Sequence, residues 1–171
     1  MFHDEQTRIL AGLLEETLDD VAGEYQDIYA QQVPLMRYLA SIGQQLPREF
    51  VVAAEMSIGR SLEKELGRGR AIDLVAVDAL LAEAKDGGVV LQMPQLGRAL
   101  GRTLRALLEE LAESDDEELE QLAVKVAGLG VVGTFPFDRH DAQNRLVRLR
   151  DGRAKRSETF GELCDVLGVA R

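Results

Sequence analysis

Apolar side chains recur along this chain at steps of three and four residues almost from end to end, and an α-helical fold is what buries such a pattern. Ile9, Leu10, Leu13, Leu14, Leu18, Val21, Tyr25 and Ile28 make one stripe, with Glu15, Glu16, Asp19, Asp20, Glu24 and Asp27 in the intervening positions. The spacing predicts an amphipathic helix from about residue 5 to 31. Pro34, placed where a first helical residue needs no N–H, predicts a short second helix with Leu35, Met36 and Leu39 that stops at Gly43. Pro47 repeats the start signal for Phe50, Val51, Ala54, Ile58, Leu62 and Leu66, closed by Gly67. Leu74, Val77, Leu80, Leu81 and Ala84 mark a further helix closed by Gly87 and Gly88. Residues 89–93 read as an extended joint, because the residue before a proline is biased away from helix.

The clearest period follows Pro94, at Leu96, Leu100, Leu104, Leu107, Leu108 and Leu111. Ser114 with Glu117 reads as a capping box for a helix carrying Leu119, Leu122, Ala123 and Val126, ending near Gly130. An irregular apolar connection is expected over 131–137. Asp138 is the expected N-cap of a helix with Ala142, Leu146 and Leu149, and Ser157 opens a last one with Phe160, Leu163, Cys164 and Leu167. Seven to eight helices with short joints predict an all-α fold, an irregular bundle without significant sheet. No fixed period relates the segments, so no solenoid is expected.

A length of 171 residues suits one compact domain or at most two small ones, and 1–171 reads as a single helical domain, complete or part of a longer chain. Apolar residues at 46% supply a core despite a net charge of −10. A pI near 4.7 argues against nucleic acid as a partner, since phosphates need a basic face. Aromatics at 5%, with no Trp, leave little for stacking on sugars or bases. The lone Cys164 cannot form an internal disulfide or a multi-thiolate zinc site. The opening MFHDEQTRIL has neither the basic nor the apolar region of a secretory signal, and no window approaches a membrane span. The expectation is a reduced cytoplasmic protein with no membrane partner.

Charge is unevenly placed. Residues 1–32 hold eight acids and one Arg, whereas 139–171 hold eight basic residues and five acids. Solvated helix faces account for this; so would packing of the two ends together, or docking of the basic tail on an acidic partner.

Gly128, Gly130 and Gly133 match G-x-G-x-x-G, but a dinucleotide site needs a strand before the motif and a helix after it. Here Pro136 follows and no βαβ unit exists, so a helix C-cap and glycine turn are expected and no cofactor is implied. Asp138, His140 and Asp141 put two carboxylates and an imidazole close together, yet the only other His is His3, and the expected roles are N-cap and first-turn acid rather than metal ligands. Thirty acids offer many carboxylate pairs, and no spacing singles out a catalytic one. Cys164 lies on an apolar stripe, where a buried thiol is expected. Gly97 and Gly101 form G-x-x-x-G, expected to mark close helix–helix contact, and Arg98, Arg102 and Arg105 form a ridge expected to pair with acidic helices.

The run Pro34 to Gly43 (PLMRYLASIG), then Leu46 to Phe50 (LPREF) and Ala53-Ala54-Glu55, resemble the C-terminal helical region of glycoside hydrolase family 57-like (α-amylase-like) proteins, itself a domain of unknown function. Phe137-Asp138 through Ala142-Gln143-Asn144, and Leu163 to Val169, are similar to the later part of that region. In that family an N-terminal distorted β/α barrel acts on α-glucans through a Glu nucleophile and an Asp acid. This chain has no barrel strands, so no catalytic residue carries over. The resemblance implies a non-catalytic accessory module that packs on the barrel of the same or a neighbouring protein, shapes a wall of its cleft, or self-associates. Asp138, His140, Gln143 and Asn144 form the candidate polar interface; local capping and inter-helix hydrogen bonding are the alternative for Gln143 and Asn144. A freestanding helical module binding a protein through its acidic first helix or basic tail, and an enzyme with a carboxylate-based site, remain the other expectations. A missing barrel would leave a contiguous exposed apolar face.

Overall fold

The computed structural model describes residues 2–114, 116–131, 135, 137–152 and 157–170. Among them the fold is all-α: α1 (Phe2–Ser41), α2 (Arg48–Leu66), α3 (Leu74–Asp86), α4 (Pro94–Glu113), α5 (Glu117–Val131), α6 (Arg139–Gly152) and α7 (Glu158–Leu167), with one 3-10 turn at Gly69–Ala71 and no strand. None of these helices is long and apolar enough to cross a membrane.

The chain forms two compact units. The first comprises Met1–Arg60 and Leu81–Val90, the second Ser61–Leu80 and Leu91–Arg171.

In the first unit the expected break at Pro34 does not occur, and α1 runs through it as one helix of 40 residues. The reason lies on both sides of the proline. Ala22, Tyr29 and Met36 recur every seven residues; Ala22 and Met36 are buried, and the Tyr29 hydroxyl donates to Glu83 Oε1 at 2.7 Å. This row straddles Pro34 and holds the two halves in one register. The lost N–H leaves only the Ala30 carbonyl without its partner, and both Ala30 and Pro34 are exposed, so water replaces the missing bond. Gly43 and Gly88 end α1 and α3 at positive φ. In each case the amide of the following residue returns to a carbonyl one turn earlier, Gln44 to Leu39 and Val89 to Ala84. Asp19 of α1 pairs with Arg60 of α2.

The second unit is built on α4. Leu96, Leu100, Leu104, Leu107, Leu108 and Leu111 are all fully buried, as their spacing predicts. The helix packs against α5 and α6, and α7 packs against α5 and α6 in turn. The caps fall where single side chains can satisfy free amides. Asp138 accepts from the His140 amide at 2.9 Å and Ser157 from the Phe160 amide at 2.9 Å.

The α5 start differs from expectation. Ser114 closes α4 instead, its hydroxyl donating to the Glu110 carbonyl, and Asp116 Oδ1 accepts from the amides of Glu118 and Leu119 at 3.0 and 3.3 Å. A carboxylate at the positive end of a helix outcompetes a hydroxyl. The Leu119 amide, with Arg70 beside it, holds the Asp116 carboxyl below the usual range.

Gly130 is likewise not the C-cap. It sits buried inside the last turn of α5, where a Cβ would collide with the Phe137 ring and come within 2.9 Å of Leu100. The glycine is there for close approach. Gly133, Thr134 and Pro136 lie outside the described residues.

Candidate functional site

Two surfaces have features that the fold does not require, one in each unit. On α1 the row Ala22, Tyr29 and Met36 faces the packed side. A second row, Leu14, Val21, Ile28 and Leu35, continued by Ile42 in the turn just past the helix, also repeats every seven residues, and all five are between 38% and 60% exposed. Ile9, Leu10, Leu13, Leu18 and Tyr38 extend it. Ten of the twelve large apolar residues exposed among the described residues therefore lie between Ile9 and Ile42. Isolated exposed apolar side chains are ordinary, but a continuous row at heptad spacing is the surface one helix offers another. On the helical wheel Asp20, Glu24 and Asp27, all exposed, flank this row on the side away from Ala22 and Met36. The packed flank is electrostatically tied instead: burial and the Glu83 carboxylate push the Tyr29 phenol well up, and Arg37 lies 3.5 Å from Glu83.

The second surface is a groove of about 250 Å³ between α4 and the start of α6. Its floor is α4, where Gly97 and Gly101 carry no side chain, and its walls include Arg98, Arg102 and Phe137. Asp138, Asp141 and Arg105 close one side and Pro94 lies at the helix start. Two expectations hold only in part here: Gly97 is buried in its helix, and the rest differs. A Cβ on Gly101 would meet nothing within 4 Å, so this glycine opens a groove and does not admit a neighbouring helix. Of the arginine ridge, only Arg105 is paired, through Nη2 to Asp141 Oδ2 at 3.0 Å. Arg98 and Arg102 make no hydrogen bond or ion pair with any described residue.

Asp141 is held by both neighbours. Arg145 Nε reaches its Oδ2 at 3.0 Å, and the hydrogen bonds from Arg145 and then Arg105 hold the carboxyl below its ordinary range. Arg145 also reaches Glu109 at 2.6 Å.

The four residues of the expected polar interface have separate fates. Asp138 caps α6. Gln143 Nε2 donates to the Leu167 carbonyl at 2.7 Å, satisfying the C-terminal end of α7. His140 and Asn144 are exposed, and neither side chain bonds to a described residue; the His140 backbone amide donates to Asp138. Asp138 and Gln143 thus do structural capping, and only Asp138 also borders the groove. Cys164 is buried, as its stripe predicts. Among the described residues no three His, Cys, Asp or Glu side chains converge as a metal site requires.

Compared with known proteins, the chain matches no family model, no curated protein and no solved structure.

Proposed function

We propose that this chain is a non-catalytic helical interaction module that docks a protein partner along α1. The observation that carries the reading is the exposed heptad row from Leu14 to Ile42 beside a packed row on the same helix. Burying the exposed half of each such side chain releases about 1 kcal/mol, so the ten exposed apolar residues from Ile9 to Ile42 release about 10 kcal/mol from this side alone, on the scale of the roughly 4–15 kcal/mol that association costs.

Charge selects the partner. A second copy of α1 would set Asp20, Glu24 and Asp27 against their own likeness, whereas an apolar strip edged with Lys or Arg would neutralise them. The partner is therefore a helical surface with a basic margin. The resemblance to family 57-like hydrolases makes the barrel of such an enzyme the first partner to try, with this chain in an accessory role.

The test uses a helical peptide of about four heptads with Leu at the a and d positions and Lys at e and g, and a counterpart with Glu for Lys. The full chain should bind the Lys peptide, more weakly as salt rises, and not the Glu peptide. The double variant Leu14→Glu/Ile28→Glu should lose that binding while unfolding at the same temperature as the parent, because neither side chain is buried. Equal binding of both peptides would sink the proposal. So would light scattering that shows a dimer of the parent and a monomer of the double variant.

A further inference from the structure

We infer that the groove between α4 and the start of α6 binds a phosphate monoester, its phosphoryl group held by Arg98 and Arg102 and its apolar body resting against Phe137 and Pro94. This goes beyond the docking of a partner on α1 and rests on residues of the other unit, so either reading can fail alone.

The first ground is a pair of neighbouring cations without carboxylate partners. Seven of the thirteen arginines whose side chains are described reach carboxylates: Arg37, Arg60, Arg68, Arg70, Arg105, Arg145 and Arg150. Arg98 and Arg102 do not, although they stand one helical turn apart on the wall of a cavity. Neither carboxylate at the groove pairs with them. Asp141 is committed to Arg105 and Arg145, and Asp138 to the His140 amide. Two guanidinium groups match the two charges of a phosphate monoester above its second pKa of about 6, and each offers a planar fork to phosphate oxygens.

The second ground is shape. Gly101 gives the groove a stretch of bare helix where a Cβ would meet nothing within 4 Å, which lets an anion lie close to the backbone. A helix gains stability from Ala over Gly by about 1 kcal/mol, and at Gly101 there is open room for a methyl group. The groove is thus kept open at some expense in helix stability. The third ground is the far wall. Gly130 lets the Phe137 ring seat against α5 beside Leu100, so the ring is a fixed surface rather than a loose side chain. At about 250 Å³ the space suits a phosphoryl group with a small ring-sized body.

Phenyl phosphate is the probe. It should bind the full chain saturably at low salt, and binding should weaken about tenfold or more in Arg98→Gln/Arg102→Gln. Gly101→Leu fills the floor with no clash at its Cβ, so it should abolish binding while leaving the unfolding temperature equal to or above the parent's. Inorganic phosphate should bind less tightly than phenyl phosphate through loss of the Phe137 contact. Phenyl phosphate binding should fall as pH drops below about 6, where the monoester takes up a proton. Benzoate binding as tightly as phenyl phosphate would overturn the choice of phosphate. Absence of saturable binding, or binding untouched by Gly101→Leu, would overturn the site.

Discussion

Replacing Thr103 by Val keeps the side chain's outline and removes one hydroxyl from the core of the second unit. That hydroxyl is 98% enclosed by the measure of its residue, which is 2% exposed. It donates to the Leu66 carbonyl at the end of α2 and accepts from the Gly69 amide at 3.3 Å at the turn beyond. A side chain of α4 therefore satisfies two backbone groups that the end of α2 leaves over. Leu66 is fully buried, so its carbonyl would bear the full penalty of a lost partner, about 1–3 kcal/mol. Gly69 is half-buried and its amide can turn to water, adding about 1 kcal/mol. Thr103→Val should thus cost about 2–4 kcal/mol, or about 1 M in urea midpoint. Thr103→Ser keeps the hydroxyl and gives up a methyl group, for about 1 kcal/mol. All three tyrosines, Tyr25, Tyr29 and Tyr38, lie in the first unit and there is no Trp, so the assay is far-UV circular dichroism rather than intrinsic fluorescence. A Val variant no less stable than the Ser variant would refute the assignment of the hydroxyl as a helix-end cap.

One substitution made at two glycines should have opposite signs. Gly130→Ala forces a methyl group into the Phe137 ring and should destabilise by about 1–3 kcal/mol, whereas Gly101→Ala meets open space and should stabilise by up to about 1 kcal/mol; urea titrations of both variants decide it. The acid limb of stability should depend on Asp141. Its folded carboxyl is held below the unfolded value of about 3.9, so its contribution is complete above that pH and is lost as pH falls through the lower folded value. Asp141→Asn should therefore flatten the fall in urea midpoint below about pH 4 and leave the profile from about pH 5 to 8 level; an unchanged acid slope would contradict it.

The all-α class, six of the seven helices and nearly every core leucine follow from period and punctuation, because helix burial and capping are local matters. Leu96 to Leu111 could be placed on one face, and Asp138 and Ser157 at helix starts, from spacing alone. Pro34 misleads for the opposite reason. Whether an interior proline ends a helix depends on whether packing on both sides exceeds one lost hydrogen bond, and the row Ala22, Tyr29, Met36 is a tertiary fact. The choice between Ser114 and Asp116 as a cap turns on electrostatics that a capping-box pattern does not weigh. The groove was visible only as its parts. Gly97, Gly101, Arg98 and Arg102 stand out in the sequence, but that the glycines border empty space and the arginines lack acids depends on where α6 lies. The seven-residue recurrence of Leu14, Val21, Ile28, Leu35 and Ile42 was the legible signal for the α1 surface, and a heptad count would have separated it from the packed row beside it.

The interleaving of the two units along the chain has a consequence for how the protein is made. Synthesis runs from the N-terminus, so every residue of the first unit is in place once Val90 has been added. Residues 61–80 have by then been made, yet Leu62, Leu66 and Val77, fully enclosed in the finished molecule, belong to a unit whose remaining residues begin only at Leu91. One unit can thus mature on the ribosome while part of the other waits with its leucines uncovered. That interval, set by translation speed, is where a chaperone would find its grip and where misassembly would begin.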